Sequence, residues 1–221
     1  MNIRLKALIK KMIWNKFGAI LNRISGKHRT WSVAYVILMS DEIHNIITKW
    51  QINILDKYGT NSGLTAMPHL TLKLGFEVTC LDQYEKYFDN LVKDIEPFEI
   101  CVNGINKFED GIIFVDVEKN PRLDQLRRRI LNDLHQQFGV KPYRLEGDQF
   151  RFHVTLAYGL PISNFIKAYE ELKIRPIQAS FMLSKMSLFC HSGENWVSYK
   201  QATITNHSNN KLLINKRAEM T

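Results

Sequence analysis

The amino-acid sequence predicts an α+β protein built from two similar halves, and three observations carry that expectation. Two stretches, Pro68-His69-Leu70-Thr71-Leu72 and Phe152-His153-Val154-Thr155-Leu156, each read His, apolar, Thr, apolar within an apolar run, 84 positions apart (153 − 69). The helical and strand periodicities around them follow an order that repeats: helix, His-strand, helix, two strands. The 221 residues, 45% hydrophobic and 24% charged, suffice for a substantial core and have the balance of a globular chain, which excludes disordered and fibrous classes.

Residues 1–28 form a basic extension. Ile3 to Ile24 read as a helix with Leu5, Leu8, Ile9, Met12 and Ile13 on one apolar stripe, although Lys16 and Arg23 share that stripe and Gly18 interrupts it. No acidic residue precedes Asp41, while Arg4, Lys6, Lys10, Lys11, Lys16, Arg23, Lys27 and Arg29 supply eight positive charges. The rest of the chain holds 22 basic residues (30 − 8) against 22 acidic ones, so the net charge of +8 belongs to the residues before Asp41, seven of those charges to the extension. A global argument from charge to nucleic-acid binding therefore fails. Two readings of the extension stay open: contact with an anionic surface, either membrane headgroups or an RNA backbone, or a helix packed on the body with solvated lysines. A mitochondrial-type presequence also fits, whereas lysines recurring where an apolar h-region belongs argue against a secretory signal. No apolar run approaches the roughly 20 residues of a membrane span. The expected location is the cytoplasm, with membrane association or organellar targeting resting on the extension alone.

The body covers residues 29–205. Trp31 to Met39 is a short apolar, β-branched run followed by Ser40-Asp41, a strand leading into a helix N-cap. Residues 41–58 carry Ile43, Ile46, Ile47, Trp50, Ile54 and Leu55 at helical spacing. A loop through Gly59 and Gly63 leads into the first motif strand, and Leu81 to Ile95 is a second amphipathic helix. Strands over Phe98–Val102 and Gly111–Val117 are expected to flank a loop through Asn103-Gly104. Pro121 opens a helix to Phe138, buried through Leu123, Leu126, Ile130, Leu131 and Leu134, with Arg127, Arg128 and Arg129 expected mainly outside. The second motif strand spans about Gln149 to Tyr158, and Pro161 opens a helix to Leu172. Two long strands, Gln178–His191 and Trp196–Ile204, follow, joined by the turn Ser192-Gly193-Glu194-Asn195. Residues 206–221 are a polar tail.

In a strand the period of two puts His and Thr of each motif on one face and the apolar partners on the other. One such pair carries little weight, because a strand histidine commonly serves structure. Two copies in matching contexts could line opposite walls of a cleft and treat a phosphate from both sides. The same parity projects Lys73, two residues beyond Thr71, and Arg151, two before His153, onto that face, where they could neutralise phosphate or merely charge a rim. Tyr35, Phe76 and Tyr143 could stack on a base, although aromatics in apolar strands usually belong to the core. His44, His135 and His191 lack a partner motif and are read as structural or exposed. Cys80, Cys101 and Cys190 are odd in number and widely spaced, so neither a disulfide framework nor a zinc cluster is indicated. No metal and no cofactor are expected.

The two stretches HLTLKLGF and FHVTLAYG resemble the signatures of the 2H phosphoesterase superfamily, in particular its 2′–5′ RNA ligase-like/cyclic phosphodiesterase branch. The terminal segment FMLSKMSLFCHSGENWVSYKQATI is similar to the family's closing strands, and the resemblance spans about residues 31–205. It implies a two-lobed, pseudo-twofold fold, with antiparallel sheets flanked by helices around a central groove and both His-x-Thr pairs on its floor. It also implies catalysis by His69, Thr71, His153 and Thr155, to which parity adds Lys73 and Arg151, and its aromatic ring adds Tyr143, as candidate substrate contacts. Opening a 2′,3′-cyclic phosphate requires water to lose a proton while the leaving ribose oxygen gains one, and histidine titrates where both roles are available. The threonines would donate to the non-bridging oxygens. The resemblance makes the first-motif histidine the acid and the second the base, though the residues themselves leave the assignment open. Tyr158 stands where many relatives carry a basic residue, and its parity points it away from Thr155, which departs from the usual phosphate contacts. The implied substrate is an RNA end, a nucleotide or a cyclic oligonucleotide, acted on by a monomer. The competing expectation is an RNA- or nucleotide-binding protein on the same scaffold without significant turnover, tethered by its basic N-terminus.

Overall fold

The computed structural model describes residues 30–205. The expectations for the basic extension and the polar tail concern residues 1–29 and 206–221, outside the described residues. Eight strands form two four-stranded antiparallel sheets. One has the order β2-β1-β7-β8, from Trp31–Leu38 (β1), His69–Val78 (β2), Lys185–His191 (β7) and Trp196–Thr203 (β8). The other has the order β5-β4-β3-β6, from Glu99–Phe108 (β3), Ile112–Val117 (β4), His153–Ala157 (β5) and Gln178–Met182 (β6). Helices span Asp41–Tyr58 (α1), Asp82–Lys93 (α2), Pro121–Phe138 (α3) and Ile162–Leu172 (α4), with short 3-10 turns at Ser62–Thr65 and Arg144–Glu146. No helix among the described residues is long and apolar enough to cross a membrane.

The helix boundaries follow local chemistry. Ser40 accepts a hydrogen bond from the Ile43 amide, and Gly59, at φ 78°, closes α1 by donating to the Leu55 carbonyl. Asn120 caps α3 by accepting from the amides of Arg122 and Leu123, Pro121 sits in its first turn, and Gly139, at φ 70°, ends it.

Two strand expectations are corrected. The run expected as one strand over Gln178–His191 breaks at Leu183-Ser184, so that β6 closes one sheet and β7 joins the other. Periodicity cannot register such a change of partner, because both pieces alternate correctly. The strand expected to stop at Val102 runs on to Phe108: Gly104, at φ 77°, lies where the β3–β4 register shifts, and its amide donates to the Ile177 carbonyl.

The main core gathers one face of each sheet with the buried stripes of the helices, including Ile37, Leu72, Phe88, Ile100, Val115 and Leu156. A smaller cluster of Ala34, Val36, Leu38 and Phe189 lies on the opposite face of the first sheet. The two motif strands, β2 and β5, are the edge strands that meet where the sheets adjoin. Two helices cross over, α1 packing against β5 and α3 against β2, while α2 stays on β7 and β8 of the first sheet and α4 on β3 of the second.

Candidate active site at the meeting of two edge strands

His69 and Thr71 lie opposite Leu38 and Val36 in the β1–β2 ladder, on the face of the smaller cluster. His153 and Thr155 lie opposite Asp116 and Phe114 in the β4–β5 ladder. The His69 Nδ1 is 2.7 Å from the Met67 carbonyl oxygen, and the His153 Nδ1 is 2.8 Å from that of Arg151. A carbonyl only accepts, so each Nδ1 carries the hydrogen and each Nε2 is left with its lone pair. Aromatic edges fix the rings: Phe189 lies 4.9 Å from His69, and Phe108 and Phe114 lie 5.0 and 5.2 Å from His153. Neither threonine hydroxyl has a hydrogen-bond partner among the described residues, so both are available to donate. The four motif residues are thus brought together as two equivalent pairs.

Burial lowers the pKa of both imidazoles, His69 to about 4, opposed there by the hydrogen bond to Met67 and reinforced by the positive charge His153 would carry. His153 is lowered as well, but its hydrogen bond to Arg151 and the carboxylates of Asp116 and Asp110 oppose the effect. His69, facing apolar Leu38 and Phe189, has no comparable carboxylate.

The free edges of both motif strands are clamped by side chains from the other lobe. The Gln51 amide donates to the carbonyls of Thr155 (3.0 Å) and Gly63 (3.2 Å), and the Asn61 amide donates to that of Leu156 (3.0 Å). On the other edge, the buried Glu146 carboxylate accepts from the Leu74 amide (2.7 Å), the Tyr143 amide (2.8 Å) and the Lys73 ammonium (2.7 Å). Arg127 donates to the Glu146 carbonyl and covers the Phe150 ring at 3.9 Å. Arg127 is 5% exposed, which corrects the expectation that it faces solvent with Arg128 and Arg129.

Lys73 also departs from its expected place. The β1–β2 register slips between Val36↔Thr71 and Tyr35↔Lys73, leaving Leu72 as an extra residue. Lys73 therefore points to the Tyr35 side, into the main core, 1% exposed, with Nζ 5.2 Å from the Phe76 ring and 4.5 Å from that of Tyr143. Parity fails here because a bulge resets it. Burial lowers the Lys73 pKa, with Glu146 opposing. Arg151 stays beside His153, its guanidinium over Phe114 and its Nε donating to the Asp116 Oδ1 at 3.0 Å. Tyr143 is half exposed on the loop that clamps β2, whereas Tyr35 and Phe76 are core residues.

Gln51, Asn61, Glu146 and Asp116 escaped the sequence reading. Gln51 left one signal: it occupies the buried stripe of α1 between Ile47 and Ile54. Glu146 left none, because its partners are remote in sequence. No group of three or more His, Cys, Asp or Glu side chains among the described residues could hold a metal ion.

A family profile described as the 2′-5′ RNA ligase superfamily matches residues 39–195. Predicted phosphoesterases from two strains of Staphylococcus epidermidis are each 26% identical over 149 residues, covering 65% of this chain and 83% of theirs. Among solved structures, E. coli LigT complexed with NADP+ superposes with a TM-score of 0.56 at 18% identity, over 80% of this chain and 99% of that one. TT0787 of Thermus thermophilus does so with a TM-score of 0.57 at 13% identity, over 80% and 99%. At these identities the structural likeness speaks to the fold alone.

Proposed function

The chain belongs to the 2′–5′ RNA ligase superfamily, within the 2H phosphoesterases, and from that premise we propose a metal-independent phosphodiesterase. It hydrolyses 2′,3′-cyclic phosphate ends of RNA or nucleotides, or related 2′–5′-linked or cyclic oligonucleotides, by paired-histidine acid–base catalysis. The observation that carries this reading is the matched pinning of His69 and His153 through Nδ1, which leaves two Nε2 atoms and two unpartnered threonine hydroxyls at one place.

In the step proposed, water forms a bond to phosphorus as the bond to one ribose oxygen breaks, in line. One Nε2, neutral, takes the proton of the attacking water. The other, protonated, gives its proton to the leaving ribose oxygen. Thr71 and Thr155 donate to the non-bridging oxygens, where the transition state holds charge. The carboxylates of Asp116 and Asp110 near His153, offset in part by the Arg151 guanidinium, and the apolar surroundings of His69 favour His153 as the acid and His69 as the base. This is the reverse of the order drawn from resemblance.

The test is incubation with 2′,3′-cyclic nucleotides in EDTA, with product analysis. Wild type is expected to yield a single phosphomonoester, and His69→Ala and His153→Ala each to lose hydrolysis while keeping the wild-type melting temperature. Binding without product would support a nucleotide-binding role instead. A bis(p-nitrophenyl) phosphate substrate, whose leaving group needs no proton, is expected to restore turnover in His153→Ala and not in His69→Ala. The opposite pattern reverses the assignment.

A further inference from the structure

Resting on the phosphodiesterase reading, we propose that the groove accepts a phosphate carrying one negative charge, a diester or cyclic phosphate. It discriminates against the dianion of a terminal phosphomonoester, and Asp116 and Tyr158 set that preference. Three positions around the motif side chains are suited to a phosphate-binding cation, and each is neutralised or neutral. Lys73 is turned by the Leu72 bulge into the main core, where Glu146 holds its ammonium at 2.7 Å. Arg151 remains beside His153, but Asp116 takes both its Nε, at 3.0 Å, and its Nη2, so this corner carries no net charge.

Tyr158 is the third. The β4–β5 register slips at Leu156, and Leu156 and Ala157 are both fully buried, which brings the next side chain back to the side of Thr155. The Thr65 hydroxyl donates to the Ser62 carbonyl at 2.8 Å, so its oxygen must accept from the Tyr158 hydroxyl, 2.9 Å away. The Ser62 amide donates to the Tyr158 carbonyl at 3.1 Å and fixes the pair. A neutral phenol therefore stands at this end of the site. Burial also favours the uncharged form of both imidazoles.

The one imidazolium that the reaction needs and the neutral donors around it can hold one negative charge. A second charge has to be desolvated with no further cation to offset it. A phosphomonoester, whose second pKa is about 6, is mostly dianionic at neutral pH, whereas a diester stays monoanionic. Hydrolysis of a cyclic phosphate creates that second charge, so the product leaves a site that held its precursor.

The experiment compares the affinity for 2′,3′-cyclic AMP, read as its Michaelis constant, with the inhibition by 2′-AMP and 3′-AMP on the full chain. At pH 7.5 the monoesters are expected to inhibit about tenfold more weakly than the cyclic phosphate binds, the gap narrowing toward pH 5.5 as they take up a proton. Asp116→Asn, which frees the Arg151 charge, and Tyr158→Lys, which adds one, are each expected to tighten the monoesters about fivefold relative to the cyclic phosphate. Monoesters that bind wild type as tightly as the cyclic phosphate, or a gap that widens at pH 5.5, overturn the proposal; the wild-type comparison stands even if a variant misfolds. Should cyclic AMP not be hydrolysed, the phosphodiesterase reading fails. Calorimetric titration of wild type with the same ligands then reads the charge preference separately, and equal affinities or no binding by either overturn it.

Discussion

Replacing Lys73 by Met is the sharpest test of how β2 is held. At an Nζ–Oε2 distance of 2.7 Å and an effective dielectric constant of about 20, the attraction between Lys73 and Glu146 is about 6 kcal/mol. That gain offsets the cost of removing two charges from water, so the pair adds little net stability over an apolar replacement. Deleting one partner is a different matter. In Lys73→Met the Glu146 carboxylate keeps the Leu74 and Tyr143 amides but loses its counter-ion at a site closed to water. The expected loss is about 3–5 kcal/mol, read as a lower urea midpoint with unchanged slope. For a body of this size that corresponds to a melting point roughly 10 °C lower. In Lys73→Met/Glu146→Gln neither member of the pair is charged and the Gln oxygen still accepts from the Leu74 amide, but its NH2 meets the Tyr143 N–H and Arg127 loses a carboxylate neighbour, so part of the loss is expected to return. A single-variant loss below about 1 kcal/mol, or strict additivity of the two changes, would refute the picture of a buried, mutually dependent pair.

Two further outcomes follow from the site. Between pH 6.5 and 4 the folded His69 binds fewer protons than the unfolded one, so its contribution is complete above pH 6.5 and lost as pH falls, by roughly 3 kcal/mol. His69→Gln is expected to flatten the fall in urea midpoint between pH 7 and pH 4.5, with His153 supplying a residual slope of the same sign; an unchanged slope contradicts the assignment. In Gly63→Ala the new Cβ would lie 2.8 Å from the Leu156 carbonyl oxygen and 2.9 Å from the Asn61 Oδ1, at the clamp that holds β5. A loss of about 1–3 kcal/mol is expected, together with reduced turnover of 2′,3′-cyclic AMP, because Thr155 shares that strand edge. A variant that melts and turns over like wild type would show that the clamp can shift freely.

By itself the sequence determined the helices, most of the strands and the family. Local periodicity, Ser40, Gly59, Pro121 and Pro161 placed all four described helices within a residue or two. The two His-x-Thr stretches marked the candidate reacting groups, because the alternation of a strand requires only local backbone geometry. Tertiary structure decided what depends on partners remote in the chain. The switch of sheets between β6 and β7 leaves no trace in alternation, since each piece is correctly patterned for the sheet it joins. The bulges at Leu72 and Leu156 shift the facing of the residue that follows, and in β2 a second slip resets it so that Phe76 and Val78 return to the core. Hence Lys73, placed by parity in the groove, lies in the core against Glu146, a residue 73 positions away that no spacing rule connects to it. The charge around the candidate site was likewise hidden. It depends on the pairing of Arg151 with Asp116 across two strands and of Tyr158 with Thr65 between two lobes, and hydrogen bonds of that kind exist only once the chain has folded.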